Sequence, residues 1–226
     1  MIGIFGGTFN PIHLGHLRAA EEVLGRLGLG RMIFIPSARP PHKIDGNENI
    51  APASDRLSWV RLAVEGHAHF HVDPIEIERP GPSYLVDTLT HFVEEHPPED
   101  LVFIVGQDAF SEMGDWKSPE KLFAMTNFAV ITRPPEKSGH LARWMPVCAR
   151  GDFRVSEDGF SAEHRKSHHW IRQVPIAPLD ISSTRIRKRV SEGTSIKDWV
   201  PESVRSAIET SESYRTHPEK STSPSH

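Results

Sequence analysis

His13 and His16 stand three residues apart in the run Gly6-Gly7-Thr8-Phe9-Asn10-Pro11-Ile12-His13-Leu14-Gly15-His16, near the start of a 226-residue chain. Two imidazoles at that spacing can face one anion, each donating a hydrogen bond and each chargeable near neutral pH. An isolated pair more often has one ring packed and the other in solvent. Here the glycines, the threonine and the position after the first apolar run favour a phosphate. No lysine follows the glycines and the G-x-G-x-x-G spacing is absent, so neither a P-loop nor the dinucleotide fingerprint is present. Far along the chain, Ser182, Ser183 and Thr184 precede Arg187 by one helical turn. One of these hydroxyls is expected to cap the helix. Together with the guanidinium they suit the β- and γ-phosphates of a triphosphate. For Arg187 the plainer alternative is a surface ion pair. Lys43, in a proline-bearing loop, is read equally as a phosphate ligand or a solvated lysine.

These groups need elements to hold them. Residues 1–5 are apolar and β-prone and predict a buried strand. Gly6 and Gly7 allow a sharp turn, and Leu14, Leu17, Leu24 and Leu27 recur at helical spacing until Gly28 and Gly30. The histidines then lie at a strand–turn–helix junction, where exposed N–H groups and the helix dipole attract anions. Further strands are predicted at 31–36, 69–73, 75–78, 101–105, 127–132 and 173–177. Helices are predicted at 53–65, 83–96, 119–125, 182–190 and 201–209. Strands alternating with helices argue for an α/β fold, a doubly wound and mostly parallel sheet with helices on both faces. In such a sheet ligands bind beyond the carboxyl ends of the strands. Gly6, the loop after Pro36, Gly106 and the Ile181 loop all follow strand candidates and should converge on one edge.

Residues 1–210 are expected to form a single domain, with 134–172 an insertion or loop region of little legible pattern. Its His164, His168 and His169 lack the cysteine or carboxylate spacing of a metal site and are read as a solvated basic loop. From residue 211 the chain is Ser, Thr, Pro, His and charge, the composition of a disordered tail. A single cysteine, Cys148, excludes an internal disulfide and fits a reducing cytoplasm. The apolar runs are too short to span a bilayer. A net charge of −4 does not favour a nucleic-acid partner. The local cluster Arg185, Arg187, Lys188 and Arg189 still suits a small polyanion.

The first motif, Gly-Gly-Thr-Phe-Asn-Pro-x-His-x-Gly-His, and the second, Ile181-Ser182-Ser183-Thr184-Arg185-Ile186-Arg187, resemble those of the nucleotidyltransferases that carry H-x-G-H and I-S-S-T-x-x-R. Within that superfamily the chain most resembles the bacterial nicotinate-nucleotide adenylyltransferases. The resemblance implies a Rossmann-like fold and transfer of the adenylyl group of ATP to nicotinate mononucleotide, giving a dinucleotide and pyrophosphate in NAD biosynthesis. It implies Mg²⁺ arriving with ATP, and no resident metal site. The partners it implies are ATP and the mononucleotide, with neither nucleic acid nor membrane, and a homo-oligomer is left open. His16 would stabilise charge on the α-phosphate, helped by His13 and Arg187. The ATP site would take in Gly6, Gly7, Thr8, Phe9, His13, His16, Lys43, Gly106, Asp108, Ile181, Ser182, Ser183, Thr184 and Arg187. For the acceptor it points to Ser83, Tyr84, Leu85, Asp87, Thr88, Asp108, Trp116 and Arg133. Trp116 is suited to stack on a pyridine ring or to pack against the core. N–H groups at the start of the helix after Ser83 suit a carboxylate. Asp108 is placed either for ribose hydroxyls or for its own turn.

Two positions depart from the pattern: Asn10 stands where Asp is usual, and Leu85 where Thr is frequent. Leu85 removes a side-chain contact that bears on which pyridine nucleotide is taken. The rivals within the same chemistry are transfer to nicotinamide mononucleotide or to phosphopantetheine. An oxidoreductase would need the glycine fingerprint and an acidic end to the second strand, where the chain has Ile35-Pro36-Ser37. A non-catalytic nucleotide sensor is the remaining alternative.

Overall fold

The computed structural model describes residues 1–39, 49–132 and 139–214. Its strands are β1 (Ile2–Gly7), β2 (Arg31–Pro36), β3 (Phe70–Val72), β4 (Leu101–Gly106), β5 (Asn127–Thr132), β6 (Phe153–Val155), β7 (Ser161–His164) and β8 (Trp170–Pro175). They form one sheet in the order β3-β2-β1-β4-β5-β8-β7-β6. Pairings from β3 through β8 are parallel, and the hairpin β6–β7 continues the sheet antiparallel beyond β8. The chain winds outward from β1 to β2 and β3, then returns to β4 on the other side of β1. The gap between the carboxyl ends of β1 and β4 is therefore the switch point where such sheets bind ligands.

Side-chain alternation divides the core in two. Phe5 of β1 joins a cluster with Leu17 of α1 (Leu14–Leu27), Trp59 of α2 (Ala53–Val64), Ile186 of α7 (Ser183–Ser191) and Ile208 of α8 (Glu202–Thr210). Its neighbour Ile4 joins the opposite cluster. That cluster includes Leu89 of α4 (Leu85–Glu95), Phe110 of α5 (Gln107–Ser111) and Phe123 of α6 (Pro119–Met125). With helices on both faces, Leu101 to Val105 are all buried, which is why β4 reads as a continuous apolar run instead of an alternating one. Helix α1 ends where Gly28 takes a left-handed φ of 60°. No helix among the described residues is long and apolar enough to cross a membrane.

Several segments differ from the pattern-based expectation. Ile75–Glu78, expected as a strand, is the short helix α3. Its alternating Ile and Glu mimic a strand, but Asp73 Oδ1 accepts the Ile75 N–H and the Pro74 carbonyl accepts those of Ile77 and Glu78. Helix α4 starts at Leu85 and not at Ser83. Ser83 is drawn towards the 38–39 segment, donating its N–H to Arg39 O and accepting the Ala38 N–H on its hydroxyl. Much of the poorly legible region carries β6, β7 and β8, whose strands are too short for periodicity to reveal. Its histidines are not all solvated: His164 and His169 are buried, and His164 lies edge-on to Phe153 at 5.1 Å. Within residues 211–214, expected to be part of a disordered tail, Tyr214 is packed and only 3% exposed. An apolar ring and one hydroxyl partner outweigh the polar composition around them. The tail from 215 onward lies outside the described residues.

Candidate active site

After β1 the chain closes a tight loop. A Cβ on Gly7 would come within 3.1 Å of the Phe9 ring, and one on Gly15 within 3.0 Å of the His13 ring. A larger residue at either position would press on these rings. Phe9 takes a left-handed φ of 45°, and its ring is buried edge-on to Phe5 and His16. The Phe9 ring builds the wall of the loop and faces the core, so the ATP contact expected there falls to its backbone.

His13 caps α1 and is 4% exposed, with its ring stacked on His16 at 3.7 Å. His16, half-buried, is the more accessible of the pair. The His13 backbone N–H donates to His16 Nδ1 at 3.2 Å. That bond fixes the tautomer and leaves Nε2 as the nitrogen that carries a proton. The Leu14 N–H donates to Trp199 O at 3.0 Å. Of the helix N–H groups expected to attract a phosphate, the first is therefore engaged by protein.

The second motif meets the first. Ser182 caps α7 by accepting the Arg185 N–H, and Ser183 Oγ donates to Pro11 O at 2.8 Å. Arg187 donates from Nη1 to Asn10 O at 2.9 Å and from Nη2 to the exposed Thr184 hydroxyl. The Ile181 carbonyl would lie 3.9 Å from a Cβ on Gly15. His16 and Arg187, 171 positions apart in sequence, thereby lie in helices α1 and α7, whose N-terminal segments meet. Arg185 and Arg189 both stack over Trp199, so they line the outside of α7.

On the other side of the Gly6–Thr8 turn lies a cavity of about 400 Å³, opening between β1, β4 and the start of α4. Gly7, Thr8, Tyr84, Leu85, Trp116 and Gly106 are among its walls, and most of the rest is apolar. The cavity can take a flat ring against Trp116, with the first turn of α4 at one end. Ser83 and Thr88 also line it. The Thr88 hydroxyl, however, donates to Glu76 Oε1 at 2.7 Å, so its work is to hold the pocket together. Asp87 does not line the cavity; it pairs with Lys117 at 3.0 Å, whose ammonium also sits over the Tyr84 ring. Asp108 is exposed in α5 and likewise lies outside the cavity wall. Lys43 and Arg133 lie outside the described residues.

Arg56, Glu76, Lys117 and Tyr214 are site-building residues that sequence reasoning missed. Arg56 is 1% exposed and donates to the carbonyls of Thr8, Ser37, Ala38 and Ala51, with no carboxylate among these partners. Burial lowers its pKa, the nearby Tyr214 opposing the shift. It shares a helical stripe with Trp59, Val60 and Ala63, and a charged residue on an apolar stripe is the signal that would have found it. Glu76, also on the cavity wall, is 7% exposed. Its burial raises the carboxyl pKa against hydrogen bonds from Thr88 and Ser83 and the charge of Arg79.

Among the described residues no group of three or more His, Cys, Asp or Glu could hold a metal. Comparison with known proteins identifies the family. The cytidylyltransferase-like family profile matches residues 4–189. A Pelobacter propionicus protein named "Probable nicotinate-nucleotide adenylyltransferase" is 40% identical over 96% of this chain and 99% of its own. Its Geobacter sulfurreducens counterpart, bearing the same name, is 41% identical over 89% and 92%. A solved structure titled as the Plasmodium falciparum nicotinic acid mononucleotide adenylyltransferase complexed with NaAD superposes with a TM-score of 0.66. It covers 92% of this chain and 94% of that one at 18% identity, a likeness of fold. On the profile and the full-length relatives together, the chain belongs to the cytidylyltransferase-like family and, within it, to the nicotinate-nucleotide adenylyltransferases.

Proposed function

We propose that this protein transfers the adenylyl group of ATP to nicotinate mononucleotide, releasing pyrophosphate and making nicotinate adenine dinucleotide for NAD biosynthesis. The observation that carries the reading is a shared loop. Its Asn10–His16 side is met by Ser183 and Arg187, and its Gly6–Thr8 side opens onto the cavity with Tyr84 and Trp116. A triphosphate on one side and a mononucleotide on the other would meet across that loop.

The acceptor's 5′-phosphate is itself the nucleophile, so no side chain needs to form a bond. Its oxygen attacks the α-phosphorus as the bond to the departing pyrophosphate breaks. Catalysis then rests on alignment and on neutralising charge. His16, with Nε2 protonated, donates to an α-phosphate oxygen. Arg187 and the Thr184 hydroxyl face the outer phosphates, and His13 supports the His16 ring by stacking. Mg²⁺ enters as part of MgATP, keeping water and phosphate ligands. Trp116 stacks on the pyridine ring, and the first turn of α4 receives its carboxylate. The reaction belongs in the cytoplasm, and nothing in this chemistry requires a second subunit. Incubating purified protein with ATP, Mg²⁺ and equal nicotinate and nicotinamide mononucleotides, and identifying the product by mass, tests the reading. Nicotinate adenine dinucleotide as the main product is expected. A predominance of NAD would reassign the acceptor, and bound ATP without turnover would indicate a sensor.

A further inference from the structure

Asn10 joins the two loops of the site and is itself held from behind. Its carbonyl accepts Arg187 Nη1 at 2.9 Å. Its side chain, in a residue 2% exposed, has three protein partners. Oδ1 accepts the Ala51 N–H at 3.0 Å and the Tyr214 hydroxyl at 2.5 Å, while Nδ2 donates to Asn49 O at 3.0 Å. An amide suits this nest, because a carboxylate has no proton for the Asn49 carbonyl. Tyr214 arrives from the segment after α8. Its ring packs on Trp59 at 5.7 Å, and the preceding Ser213 hydroxyl donates to Asp55 on the same helix. Burial keeps the Tyr214 phenol protonated, the state in which it donates.

We infer that Tyr214 is a positioning residue for adenylyl transfer: its hydroxyl locks Asn10, and the Asn10 carbonyl in turn sets the Arg187 guanidinium. The inference rests on the phosphate role proposed above for Arg187. A guanidinium left to rotate would still attract a triphosphate, but it would meet the transition-state charge less often. The loss should therefore appear in kcat more than in KM.

A double-mutant cycle separates this from a purely structural role. Tyr214→Phe keeps the ring against Trp59 and removes only the hydroxyl. In the otherwise native chain it should lower kcat about tenfold, the size of one buried hydrogen bond, with KM for nicotinate mononucleotide within about twofold. In an Arg187→Ala background the same change should lower kcat by less than about twofold. Assays are run where circular dichroism shows every variant folded. Equal losses in both backgrounds, or a Tyr214→Phe enzyme with native kcat, overturn the inference. A native protein that makes no dinucleotide overturns the proposed function instead, so the two failures are distinguishable.

Discussion

His16, in the first turn of α1, is half-buried where His13 is buried, and its proton position is dictated by the neighbouring backbone. Replacing it with alanine should lower kcat by roughly 10²–10³, the usual cost of one transition-state donor. The same change removes the partner of the His13 N–H and should cost about 1 kcal/mol of stability, or a few degrees in Tm. Turnover assays with a melting curve check both, and near-native turnover would remove His16 from the reaction. Glu76 has a pH signature. Its folded pKa is raised above the ordinary 4.5, chiefly by burial, so the folded state holds its proton more tightly than the unfolded state. Its contribution to stability is complete below 4.5 and is lost as pH rises through the folded value. Glu76→Gln should therefore gain on the native protein as pH is raised from about 4 to 8 in paired thermal melts. A constant difference across that range would mean the carboxyl is not desolvated. At this scale, residues adjoining a motif were legible and distant ones were not. Arg56 and Tyr214 act through carbonyls and an amide contributed by other segments, which no local spacing encodes.

Helix α4 illustrates how an element is aimed. Its periodicity predicted a helix, but the starting residue depends on Ser83 bonding to residues 38 and 39, a contact 45 positions away from Ala38. Ser83→Ala removes the acceptor for the Ala38 and Arg39 N–H groups and loosens the first turn beside the cavity. KM for nicotinate mononucleotide should rise about three- to tenfold while kcat changes by less than about threefold. A kcat effect larger than the KM effect would place Ser83 in the chemistry. The same logic applies to α3, where the capping of Ile75 by Asp73 overrode an alternating pattern. Helices and buried strands with long periods were legible. Short elements decided by one or two side-chain bonds were not.

At the scale of the whole molecule, the alternation of strands and helices was enough to imply a parallel sheet with both faces covered. From that follows the convergence of the Gly6, Pro36, Gly106 and Ile181 segments on one edge. What the alternation did not reveal was the antiparallel hairpin at the far edge, or the return of residues 213–214 across α2 to the first loop. Both depend on pairings between segments with little pattern of their own. The fold thus explains why motifs at opposite ends of the chain lie side by side, and the proposed function requires that they hold one triphosphate. Protein labelled at histidine and arginine side chains, titrated by NMR with an ATP analogue that resists cleavage between the α- and β-phosphates, tests this directly. The His16 ring and the Arg187 guanidinium should shift together, saturate at the same ligand concentration, and report a single dissociation constant. Movement of only one of them, or two separate saturation points, would mean that the two groups do not hold the same triphosphate.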